Sequence, residues 1–133
     1  MQELKVNLLA EGLRIVIVAS RFNEMIVDRL IEGALDTFRQ FGGSPDELLL
    51  TRVPGAFEIS TAARQFAETE AYDAIVCLGA VIRGATSHYD HVCSAVTSGV
   101  AAVGADTGIP TIFGLLLSLI HISEPTRRYA ISY

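Results

Sequence analysis

The chain has 133 residues, half of them hydrophobic, and a formal net charge of −5. That length holds one domain with a real core and is too short for two, and that apolar share excludes a disordered chain. The acidic balance argues against a nucleic-acid partner, and no apolar run is long enough to span a bilayer. The first residues lack the basic-then-apolar order of a signal peptide. Cys77 and Cys93 lie inside apolar patterns, as reduced, buried thiols of a cytoplasmic protein do.

Residues 5–8 read as an extended segment. Alone it is an unpaired edge, so it is available to another subunit. Residues 14–19 are β-branched and apolar without alternation, the pattern of a strand covered on both faces. Asn23 and Glu24 start a helix in which Ile26, Leu30, Ala34 and Phe38 recur at helical spacing, and Gly42-Gly43 ends it. Residues 48–53 form a second apolar strand, broken by Pro54-Gly55, with a helix over about 57–68 after it. Residues 74–78 form a third strand. A helix from about Thr86 to Val103 stops at Gly104, and residues 111–113 form a fourth strand. There is no internal repeat. Alternating strands and helices predict an α/β three-layer sandwich, α/β/α, around a mainly parallel four-stranded sheet.

In such a sheet ligands sit beyond the carboxyl ends of the strands. Residues 20–23, 54–58, 79–88 and 113–114 all fall there. The third segment, Gly79-Ala80-Val81-Ile82-Arg83-Gly84-Ala85-Thr86-Ser87-His88-Tyr89-Asp90, is the most informative. A strand that opens through a Gly-rich turn into a helix start presents free N–H groups and the positive helix end to an anion. Arg83 adds a fixed charge, and His88 a group that moves protons near neutral pH. This combination predicts chemistry on a small phosphorylated or carboxylated molecule. Each residue also has a plainer role. His88 alone reads as a helix-terminal histidine, and Arg83 as a surface or subunit salt bridge. Phe57 fits core and site equally, and Glu58 suits a first helical turn. His88 and His91 are three apart but have no third ligand at suitable spacing, so no metal is expected.

Arg21-Phe22-Asn23, Val53-Pro54-Gly55-Ala56-Phe57-Glu58-Ile59, the segment 79–90 and Pro110-Thr111-Ile112-Phe113-Gly114 resemble, in order and spacing, the signatures of the 6,7-dimethyl-8-ribityllumazine synthase family. The resemblance implies a flavodoxin-like fold and a cofactor-free reaction of riboflavin biosynthesis. There, 5-amino-6-(D-ribitylamino)uracil condenses with 3,4-dihydroxy-2-butanone 4-phosphate to give the lumazine, phosphate and water. It also implies residue roles. Phe22 stacks on the pyrimidine. Ala56, Phe57 and Glu58 hold ribityl hydroxyls. Backbone groups of Ala80, Val81 and Ile82 hold the uracil edge, and Phe113 lines the site. Gly84, Ala85 and Thr86 receive the phosphate, with Arg83 as a further phosphate candidate, and His88 moves protons. The implied partners are small-molecule substrates and copies of the chain itself, as a pentamer that some members extend to a larger hollow shell. No nucleic-acid or membrane partner is expected.

The likeness runs through about residue 116. The helices that the family carries after Phe113-Gly114, one with a phosphate-contacting basic residue, have no counterpart here. Residues 117–127 instead resemble the translation of a sequencing adapter. The expected organisation is therefore a lumazine synthase-like domain over 1–116, incomplete at its C-terminus, and a non-native tail over 117–133. The competing expectations are a non-catalytic shell-forming or flavin/lumazine-binding module, and an inactive fragment.

Overall fold

The structure, a computed structural model, describes residues 1–83, 88–119 and 128–132, with side chains described for 1–81 and 90–114. Strand β1 (Ile15–Ser20) is buried throughout after its first residue. Helix α1 (Glu24–Gln40) follows, then a 3₁₀ turn (Pro45–Glu47) and strand β2 (Leu48–Val53). A second 3₁₀ turn (Ala56–Glu58) leads into helix α2 (Ile59–Glu68). Strand β3 (Ala74–Arg83), helix α3 (His88–Thr107), strand β4 (Thr111–Leu119) and strand β5 (Arg128–Ser132) complete the order.

The sheet runs β2-β1-β3-β4-β5. The first four strands are parallel, as expected, and β5 adds an unanticipated antiparallel strand to the free edge of β4. The chain steps from β1 to β2 in one direction and then reverses to reach β3 and β4. Crossovers of a single hand put helices on opposite faces when that direction reverses. Accordingly Ile17, Ala19, Leu78 and Ala80 meet Val27 of α1 on one face. Val16, Val18, Ile75, Cys77 and Phe113 meet Ile59 and Ala63 of α2 and Val96, Val100 and Val103 of α3 on the other. Most of these side chains are almost wholly buried. Each fully buried Val or Ile contributes about 1.5–3 kcal/mol, so the sheet face under α2 and α3 carries much of the stability.

Three boundaries differ from the sequence reading. Strand β3 does not stop at Leu78 but continues through Gly79 to Arg83, and β4 continues past Phe113 to Leu119. The two prolong each other, with Gly79 opposite Leu115 and Arg83 opposite Leu119. Gly79 therefore lies within β3, where a turn was anticipated. Helix α3 runs past Gly104 and ends at Thr107. Its stop is Gly108, at φ +75°, whose N–H donates to the Gly104 carbonyl (3.0 Å). Only the second glycine adopts the left-handed turn that terminates a helix. No strand forms over residues 5–8, and Leu4, Val6 and Leu8 are exposed. Among the described residues no helix follows β4.

Candidate active site

At the carboxyl rim, Ser20 lies opposite Val53 and Ala19 opposite Leu78, which in turn faces Gly114. Strand β1 ends here while β3 continues. Past Leu78, β3 has β4 on one side and no strand on the side of β1. The backbone groups of β3 past Leu78 that face that side are thus released from the ladder, and such groups require another partner. This is also the point at which strand progression reverses, the usual ligand crevice of an open α/β sheet.

The loop between β1 and α1 is tied to both neighbours of β1. The Arg21 N–H donates to the Val53 carbonyl (2.7 Å), and the Phe22 N–H to the Pro54 carbonyl (3.1 Å). Asn23 crosses to the other side, its Nδ2 donating to the Ala80 carbonyl (3.0 Å). Asn23 adopts φ 63°, ψ 45°, a left-handed conformation that Asn tolerates better than most residues. These three bonds leave the Phe22 ring projecting, 68% exposed.

The loop after β2 presents a second aromatic ring. Phe57 is 61% exposed, which places it at the surface of the rim and not in the core. Glu58 is exposed, and its Oε2 accepts the Gly55 N–H (3.1 Å), fixing the turn Ala56–Glu58. A carboxylate accepts several hydrogen bonds, so Glu58 retains acceptor capacity. The side chains of Ala56, Ala80, Val81 and Phe113 are buried. These residues can offer a ligand only their backbone. Phe113 lies within β4 opposite Cys77 and packs in the core under α3, not in a loop at the strand end.

Ile82 and Arg83 close β3, and His88 opens α3; their side chains lie outside the described set. Gly84, Ala85 and Thr86 lie outside the described residues altogether. The rim thus brings Phe22, Ala56, Phe57, Glu58, Ala80 and Val81 onto loops that hydrogen-bond to one another or onto the strand edge they surround.

Two side-chain roles at this rim escaped the sequence reading. One is that of Asn23, read from the sequence as a helix start in the rim segment 20–23, whose side chain also bridges the switch point. The other is that of Arg52, the one cation within the apolar run of β2, whose Nη2 bonds Asp28 of α1 at 2.7 Å. Burial pushes the Cys77 thiol up to about 12, which leaves it protonated and unreactive. Among the described residues no cluster of three or more His, Cys, Asp and Glu side chains is arranged to hold a metal. No helix among them is long and apolar enough to cross a membrane.

A comparison with known families gives a match to the model of 6,7-dimethyl-8-ribityllumazine synthase over residues 12–130. That span contains the whole parallel sheet and all four rim segments. The chain belongs to the 6,7-dimethyl-8-ribityllumazine synthase family.

Proposed function

We propose that the rim binds 5-amino-6-(D-ribitylamino)uracil and 3,4-dihydroxy-2-butanone 4-phosphate and supports their condensation to 6,7-dimethyl-8-ribityllumazine, a transferase-type step of riboflavin biosynthesis. The observation that carries this reading is the edge of β3 past Leu78, unpaired by β1 and tied at the Ala80 carbonyl to Asn23, beside the Phe22 ring that projects from a loop held by three hydrogen bonds. A flat heterocycle needs a stacking face and a row of in-plane donors and acceptors, and this corner supplies both.

In this reading the pyrimidine stacks on Phe22 and meets backbone groups of Ala80, Val81 and Ile82. The ribityl chain runs toward Ala56, Phe57 and Glu58. Gly84, Ala85 and Thr86 take the phosphate, assisted by Arg83. The amine attacks the ketone to form an imine with loss of water, phosphate is eliminated, and the second amine closes the ring with loss of a second water. His88 carries protons in these steps. Holding two substrates in register supplies most of the acceleration, and His88 a smaller acid–base factor. The reaction asks for no cofactor or metal.

The reading includes a cytoplasmic homo-oligomer, pentameric or larger. Exposed Leu4, Val6 and Leu8 alternate with polar residues in an N-terminal segment outside the sheet, a pattern suited to pairing with another copy. It also includes a catalytic unit over 1–116, a foreign tail over 117–133, and weak turnover by the chain as it stands. Mixing the two substrates and following lumazine fluorescence tests the function. Product that appears faster than in the protein-free mixture, and faster still when residues 117–133 are replaced by a family-type C-terminus, is the expected result. Lumazine binding with no turnover in the repaired protein would instead indicate a binding module.

A further inference from the structure

We infer that Arg52 is a positioning residue for ligand binding, acting through Phe22. This rests on the lumazine synthase reading of the site. The Phe22 ring is exposed, so core packing does not orient it; its backbone does. That backbone is anchored at the β2 and β3 sides by the Arg21, Phe22 and Asn23 hydrogen bonds, and it runs directly into the first turn of α1. The orientation of that turn therefore sets the pitch of the ring.

Helix α1 packs over β1 and β3, which leaves its β2 side to be braced by something else. Arg52, one residue before Val53, reaches across that side. Its Nη2 lies 2.7 Å from Asp28 Oδ1 and its Nη1 3.7 Å from Glu24 Oε1. Glu24 and Asp28 are four apart and so share one face of α1. One guanidinium thus hydrogen-bonds Asp28 through Nη2 and pairs with Glu24 by charge alone, Nη1 making no hydrogen bond among the described residues, with the planar, fixed geometry that a lysine lacks. The Arg52 side chain is 22% exposed, and those of Glu24 and Asp28 are 58% and 47% exposed. Loss of the arginine therefore leaves two carboxylates that water can still solvate, and the fold tolerates it. What loosens is the turn that carries Phe22. Arg52 itself contacts no ligand in this arrangement.

The test is a double-mutant cycle read by lumazine binding. 6,7-Dimethyl-8-ribityllumazine is titrated against the full chain, Arg52→Met, Phe22→Ala and the double variant, by fluorescence anisotropy. Arg52→Met is expected to weaken binding about fivefold in the parent chain and to have no effect in the Phe22→Ala background, the signature of coupled neighbours. Asp28→Ala removes the closer carboxylate while favouring helix. It is expected to reproduce the Arg52→Met loss and carries the test should Arg52→Met not fold. Arg52→Lys should fall between. Unchanged affinity in Arg52→Met and Asp28→Ala, or an equal loss with and without Phe22, overturns the inference and leaves the proposed function standing. A parent chain that does not bind the lumazine overturns both.

Discussion

Cys77, within β3, and His88, at the start of α3, make opposite demands on protons, one through burial and the other in the proposed reaction. Burial raises the Cys77 thiol from 9.0 to about 12. The sign follows from linkage: the unfolded chain loses this proton first, so stability is flat below about pH 9 and falls as pH rises toward 12. Denaturant midpoints measured from pH 8 to 11 should show that decline, and Cys77→Ala should remove it at the cost of a lower midpoint throughout. Thiol reagents at pH 8 should leave Cys77 unmodified until the chain unfolds. His88, at the start of α3, is assigned the working proton. His88→Gln should lower kcat about a hundredfold while leaving lumazine affinity near the parent value. An equal loss of affinity would make His88 a binding residue.

At the scale of elements, the packing of α2 on α3 includes one close approach. A Cβ built on Gly99 would lie 2.6 Å from both Cβ and Oγ of Ser60. Gly99→Ala should therefore cost about 1–3 kcal/mol by overpacking, measured by chemical denaturation. Gly33 supplies the control on α1: a Cβ there meets nothing within 4 Å, so Gly33→Ala should stabilise by about 0.5–1 kcal/mol. These close contacts are not visible in a linear pattern, whereas much of the element order is. β2 and α1 fall within a residue or two of the sequence reading because apolar period, cap and glycine stop agree. The length of β3 and β4 does not, because each is extended by the other's presence, a non-local effect. The same limit applies at the rim. Phe22 and Glu58 are legible from strand-end position and motif. Asn23 and Arg52 act on other elements, on Ala80 of β3 and on Asp28 of α1, and their partners lie 57 and 24 residues away.

At the scale of the whole molecule, the two sheet faces are unequally covered among the described residues. Phe113 points under α3, and its neighbour Ile112, on the other face, is 50% exposed. Of the described helices, only α1 packs on that face. Exposed apolar surface on a strand promotes association. Ile112→Thr keeps a β-branched residue and should raise the soluble yield and reduce the aggregated fraction in sedimentation. The N-terminal segment offers a separate, ordered route. Removing residues 1–9, which are exposed and outside the sheet, should leave the unfolding midpoint within experimental error and lower the oligomeric state.

The functional expectations depend on one corner of the molecule, where β1 ends, β3 continues and Phe22 projects. A crystal structure of the chain with 6,7-dimethyl-8-ribityllumazine tests that corner most directly. The heterocycle is expected to stack on Phe22, with its polar edge on the backbone of Ala80 to Ile82 and the ribityl chain directed to Glu58. A ligand lodged elsewhere, such as the groove between α2 and α3 lined by Ser60, Arg64 and Gly99, would contradict that placement.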